Sequence, residues 1–142
     1  MNRWKVLIAL AIVSLLAVSA AAAWSKEVVW PADHIKWEPG PIPGVKVAKL
    51  WGDWMKGPFG VLVKFDAGHM NPMHKHTQTF KIVMVSGTFV YQAKGGAESR
   101  LGPGSYLVQP GGKWHISGCA AGAECEFFMT AAGKFDLIPE KK

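Results

Sequence analysis

Residues 68–87, GHMNPMHKHTQTFKIVMVSG, carry the pattern on which the reading of this chain turns. His74 and His76 stand one residue apart, and Phe80, Ile82 and Met84 follow at the same parity. On a β-strand alternate residues share a face, so two histidines spaced this way converge on one point; a helix needs i, i+4 spacing to do the same. Taken alone the pair is a weak signal, because two histidines also sit readily on a rim. A third, His115, follows the sequence QPGG at residues 109–112, a tight turn that delivers it onto a returning strand.

Outward from this stretch the pattern is β throughout. A first strand is expected at about residues 45–51, after which GPFGVLVKF runs apolar into the turn DAGHMNP. FKIVMVSGTFVYQ gives two strands hinged at Ser86–Gly87, AKGGAES is a glycine-rich turn, and GSYLVQP, GGKWHISG and CEFFMTA supply further short strands. Short strands at regular intervals, with glycine and proline at the joints and no helical period, predict a sandwich or barrel. The fold class is all-β, one domain over residues 45–142. Residues 24–44, rich in proline and tryptophan, read as an extended arm leading into it. Trp30, Trp37, Trp51 and Trp54 either pin that arm to a sheet or form an aromatic platform for sugars.

The first 23 residues have the parts of a secretory leader: Arg3 and Lys5, an uncharged apolar run, and alanines ending at Ala23 where cleavage is expected. The alternative is an uncleaved anchor, since an apolar run of roughly 20 residues just spans a bilayer. Cleavage predicts a periplasmic or secreted protein with no stable membrane association. It also lowers the formal charge from +6 to about +4. The lysines are scattered and Arg100 is the lone arginine beyond the leader, which excludes the basic stripe of a nucleic-acid binder. Cys119 and Cys125 flank AAGAE, which reads as a hairpin loop with the thiols facing across its neck. An exported protein with an even cysteine count is permitted a disulfide there. The alternatives are Cys119 as a thiolate beside the histidines, whose parity it shares with His115, and two inert thiols.

At this point a resemblance becomes specific. Gly68, five residues, His74, one residue, His76, three residues, position 80 and then Gly87 resemble the first motif of the cupin superfamily. Gly104, five residues, Pro110, Gly112, His115 and position 119 resemble the second. The stretches LWGDWMKGPFG, LGPGSYLVQPGGKWH, GCAAGAECEFF and GKFDLIP resemble small exported bacterial cupins of unassigned function. The resemblance implies a jelly-roll-type barrel with a metal pocket in its mouth, and His74, His76 and His115 as the ligands.

Two positions depart from that pattern: Phe80 stands where the motif has glutamate, and Cys119 where it often has asparagine. Without the carboxylate a divalent ion would keep its full charge. Three imidazoles suit Fe, Cu, Ni or Zn better than Mg or Ca, and three protein ligands with open positions are the pattern of a catalytic site. The set is similar to that of cupin dioxygenases with three histidines and no acid, where an anionic substrate chelates the metal. This implies Fe(II) as the first choice, with Zn, Ni or Cu as alternatives, and a small chelating organic molecule as partner. Phe80, Ile82, Met84 and Trp114 are expected to wall the pocket, and Gln78 to be a weak ligand or to bond a metal-bound water. No Asp or Glu lies near the three histidines in sequence, which disfavours chemistry needing a general base. A dioxygenase-type oxidoreductase and a non-catalytic binding module, its pocket plugged by Phe80, both remain. Exposed strand edges make a homodimer reasonable.

Overall fold

The computed structural model describes residues 27–141, so the expected leader at 1–23 lies outside the described residues. Residues 27–31 are exposed and without regular structure, and fall in a separate unit from the fold that begins at Ala32. Among the described residues the helical content is a single 3-10 turn, Ala32–His34. Everything else regular is β.

Eleven strands follow. Their bounds are β1 Glu38–Pro39, β2 Val45–Gly52, β3 Phe59–Phe65, β4 Met70–Lys75, β5 Phe80–Ser86, β6 Phe89–Ala93, β7 Ser99–Leu101, β8 Tyr106–Gln109, β9 His115–Cys119, β10 Cys125–Ala131 and β11 Ile138–Pro139. They form a six-stranded sheet, β1-β2-β3-β10-β5-β8, and a five-stranded sheet, β11-β4-β9-β6-β7. All pairings are antiparallel. The strand positions expected from the alternating sequence agree closely, while the two-residue strands β1 and β11 and the three-residue β7 are too short to leave a periodic signal. Part of the expected arm is thereby built into the first sheet, Glu38 opposite Val47. Trp37 is held there beneath the Lys64 ammonium, 4.5 Å from its ring centroid, and so acts as a pin, while Trp54, beyond the arm, packs edge-on to Phe135.

The core follows from strand alternation. In β5 Phe80, Ile82 and Met84 are buried and Lys81, Val83 and Val85 are exposed; in β10 Cys125, Phe127, Met129 and Ala131 are buried. Phe89 of the second sheet meets Phe65 and Phe127 of the first, with ring centroids 6.0 and 5.1 Å apart, which joins the two layers. The Ser86–Gly87 hinge is required by geometry: Gly87 has φ 74°, and a Cβ there would lie 2.5 Å from the Glu124 carbonyl oxygen.

One expectation needs correcting. The shared parity of His76 and Phe80 does not come from one continuous strand. β4 ends at Lys75, residues 76–79 are irregular, and Phe80 opens β5 in the other sheet. Phe80 still faces the interior, but from the opposite wall.

Candidate metal centre

His74 lies near the end of β4 and is the Cα partner of His115, the first residue of β9. The two side chains therefore project from adjacent strands on the same face. His76 follows one residue beyond β4. The ring centroids are 4.2 Å apart for His74 and His115, 4.9 Å for His74 and His76, and 5.3 Å for His76 and His115. One nitrogen from each ring lies within 4.8 Å of the others, and all three residues are buried. The three histidines singled out by their spacing in the sequence are therefore brought together in space.

Their orientation is set by the backbone. His74 Nδ1 donates to the Pro72 carbonyl at 2.7 Å, His115 Nδ1 to the Lys113 carbonyl at 2.9 Å, and His76 Nδ1 to the Asp136 carbonyl at 2.5 Å. A neutral imidazole that donates through Nδ1 presents its lone pair at Nε2. A bond from the far ring nitrogen to a carbonyl is also what orients histidine ligands in metal sites generally. Burial holds all three below the ordinary histidine value. His76 is brought to about 4, its carbonyl bond opposing the shift and the other two imidazoles adding to it. His115 also falls to about 4, chiefly through desolvation, and His74 moves in the same direction for the same reason. Three neutral nitrogen donors with their other nitrogens already bonded are ready to bind a cation without first losing protons. The residues present fit a transition metal.

His74 and His76 line a cavity of about 60 Å³ whose other walls are mostly apolar side chains. Phe80 and Ile82 line it as expected, but Met84 is buried elsewhere in the core. Trp114 is also not in the wall: it is half-buried, with the Lys75 ammonium 4.7 Å from its ring centroid. Trp54, Phe127 and Phe135 take part in their place. Phe80 stacks on Phe135 at 5.7 Å with 11° between the planes, and its centroid is 4.4 Å from that of His76. Gln78 occupies the space over Gly133, where an added Cβ would meet its amide, and it does not line the cavity. The irregular chain after His76 removes the parity on which its expected role depended.

Two residues were missed. Gln109, at the end of β8, is buried, lines the cavity and donates its amide N–H to His115 Nε2. Asp136 arrives from the segment between β10 and β11. Its carboxylate accepts from Thr77 N at 2.8 Å and Thr77 Oγ1 at 2.5 Å, while its carbonyl holds His76. An acidic group is thus close in space, although none is close in sequence, and it faces Thr77. His69, which precedes the histidine pair, is half-buried against Phe65 and bonded to Asn71 Oδ1 at 2.9 Å. At the far end of β9 the sulfurs of Cys119 and Cys125 are 2.03 Å apart, a disulfide pair across the hairpin neck. This places Cys119 in a bridge and removes it as a thiolate beside the histidines.

A family model for the ChrR cupin-like domain matches residues 25–136. The chain belongs to this cupin family. No curated protein matches the chain. Among solved structures, the cupin fold is shared with the polyketide cyclase RemF from Streptomyces resistomycificus, at 18% identity over 82% of this chain and 87% of that one, TM-score 0.69. It is shared with an RmlC-like cupin protein from Ralstonia eutropha, at 23% identity over 82% and 75% of the two chains, TM-score 0.66. KdgF from Halomonas sp. is similar at 23% identity over 74% of this chain and 94% of that one, TM-score 0.59. At such identities the likeness establishes the cupin fold and leaves the chemistry to be argued from the site.

Proposed function

We propose that this cupin holds one transition metal ion through Nε2 of His74, His76 and His115, and acts as a dioxygenase-type oxidoreductase on a small chelating organic molecule. The observation that carries the reading is the set of three Nδ1 bonds to backbone carbonyls, which leaves three neutral imidazoles converging at one edge of a mostly apolar cavity lined by His74 and His76. Fe(II) is the ion proposed, with Zn, Ni or Cu as the other ions that imidazole suits. Such an ion, when bound, supplies a Lewis acid with open positions for oxygen and substrate. The chain's own part is to orient and exclude. The carbonyls of Pro72, Lys113 and Asp136 fix the rings, Phe80 and Phe135 keep water from the pocket, and no carboxylate competes with an anionic substrate for the uncompensated charge. The small cavity selects compact molecules, such as short β-diketones or thiols. RemF, which shares the fold, is a polyketide cyclase, so small-molecule chemistry is within the reach of this architecture.

One observation favours a binding module instead: Phe80 and Phe135 stack directly beside His76 and narrow the approach. Two measurements separate these readings. Elemental analysis of untagged protein, purified without chelator, is expected to show one transition ion per chain; none would end the metal reading. Oxygen uptake by Fe(II)-loaded protein with short β-diketones and thiols is expected above the metal-free control, and its absence would leave the binding module.

We further infer export to the periplasm or medium, supported by the leader-like sequence of residues 1–23 and the disulfide pair. Intact-mass measurement on envelope protein should show loss of residues through Ala23; retention of Met1 would overturn it.

A further inference from the structure

Phe80 opens β5 at the position where the cupin motif places a carboxylate ligand, and its Cα partner across the ladder is Gln109 of β8. Directly opposed residues of an antiparallel pair put their side chains on the same face, about 5 Å apart. Both are buried, at 1% and 3% exposure, so the wall that lacks the expected acid carries a neutral amide beside the gap. Among the described residues Gln109 is the single buried polar side chain on the strands of the six-stranded sheet. Its amide does not bond a neighbouring carbonyl. It donates to His115 Nε2, the atom that would face an ion.

We propose that Gln109 is a fourth ligand, providing through Oε1 from β8 the oxygen that Phe80 cannot provide from β5. The proposal rests on the metal reading above. His115 Nε2 has one lone pair and cannot give it both to an N–H and to a metal. When an ion takes it, the Gln109 N–H must leave. A primary amide carries donors on one edge and an acceptor on the other, and a half-turn about its last bond exchanges them. That half-turn replaces the displaced N–H with Oε1, without moving β8. A neutral oxygen completes the set while leaving the ion's charge for an anionic substrate. A glutamate at position 80 would have cancelled part of it.

The opposite role is also defined by the contact. If Gln109 served only to cap the His115 lone pair, its N–H would compete with the ion, and removing it would strengthen binding. The two roles therefore predict opposite signs. The test titrates the folded, metal-free protein with Co(II) alone, following visible absorption and competition with a chromophoric chelator. Gln109→Leu, close to glutamine in size and without a donor, is expected to bind at least about tenfold more weakly, since even groups that bond a ligand without touching the ion are worth about 10–100-fold. Gln109→Glu, which keeps an oxygen at the same reach and adds charge, is expected to bind more tightly than the unaltered protein. It tests the proposal independently if the leucine variant does not fold. Equal or tighter binding by Gln109→Leu, or weaker binding by Gln109→Glu, overturns the fourth-ligand role. His76→Ala separates this from the underlying reading. If His76→Ala binds Co(II) as well as the unaltered protein, or if nothing binds, the three-histidine site fails and Gln109 falls with it. If His76→Ala loses binding while Gln109→Leu keeps it, the fourth ligand alone is wrong.

Discussion

The two sheets of this cupin face one interior but contribute opposite chemistry to it. The five-stranded sheet brings the buried polar groups Asn71, His74, His115 and Ser117 on β4 and β9. The six-stranded sheet brings Val45, Val47, Phe59, Val61, Phe80, Ile82 and Phe127, and its inner face is almost wholly apolar. One wall holds, the other excludes water. The division explains why a site can keep three histidines and lose its acid, because the acid's usual position lies on the excluding wall.

The largest way to break this division is to put a charge on the wrong wall. Phe80 sits among Phe59, Phe135 and His76. Phe80→Glu removes an aromatic core side chain and buries a carboxylate without a partner, so the metal-free variant is expected to lose about 3–5 kcal/mol of stability. Zn should restore part of that loss, since a bound dication compensates the new charge. Urea denaturation with chelator and with Zn checks both; an unchanged midpoint in chelator would mean that Phe80 is not packed as described.

Proton linkage sharpens the contrast from the other wall. In the unfolded chain histidine titrates near 6.5, whereas burial holds His76 and His115 at about 4 in the fold. Between those values the unfolded state binds more protons, so stability rises with pH. Metal-free protein should therefore lose stability as pH falls from about 6.5 to about 4, with no further loss from these groups below that. His115→Gln should flatten the slope in a series of denaturation curves. A profile as steep as the parent's would show that the histidines do not set it.

Smaller effects are expected away from the junction of the walls. Reducing Cys119–Cys125 releases a short loop, whose closure is worth about 2 kcal/mol in the chain-entropy model. Alkylation of denatured, unreduced protein should label neither cysteine. Asp136→Ala removes the acceptors of Thr77 N and Oγ1 and should lower stability by about 1 kcal/mol. It should weaken metal binding several-fold through His76, with His74 and His115 unaffected. Equal affinity would mean that the carbonyl of residue 136 stays in place without its side chain.

Local periodicity made the strands legible, since alternation in FKIVMVS and CEFFMTA is a property of a few consecutive residues. The histidines were legible for the same reason: His74 and His76 are neighbours, and motif spacing delivered His115. What was not legible depended on register and on distant segments. Gln78 had the right parity, but parity lapses where the strand ends at Lys75. Gln109 is recognisable only once β8 is known to lie beside β5 with residue 109 opposite residue 80. Asp136 reaches His76 across 60 residues of sequence, and no local pattern announces such a contact. Trp114 and Met84 were placed in the pocket wall by proximity and parity, which do not say what lies in front of a side chain.

That contact between Asp136 and His76 also bears on when and where the centre is made. His74 and His115 take their orienting bonds from carbonyls two residues upstream, so each carries its own support as it is synthesised. His76 waits for a segment that follows ten of the eleven strands in chain order. If the chain is exported and binds an ion as proposed, threading N-terminus first would leave His76 to be oriented only after the tail had emerged on the far side. The ion would then be chosen from the supply of the compartment where folding ends, whatever metals are abundant where translation begins.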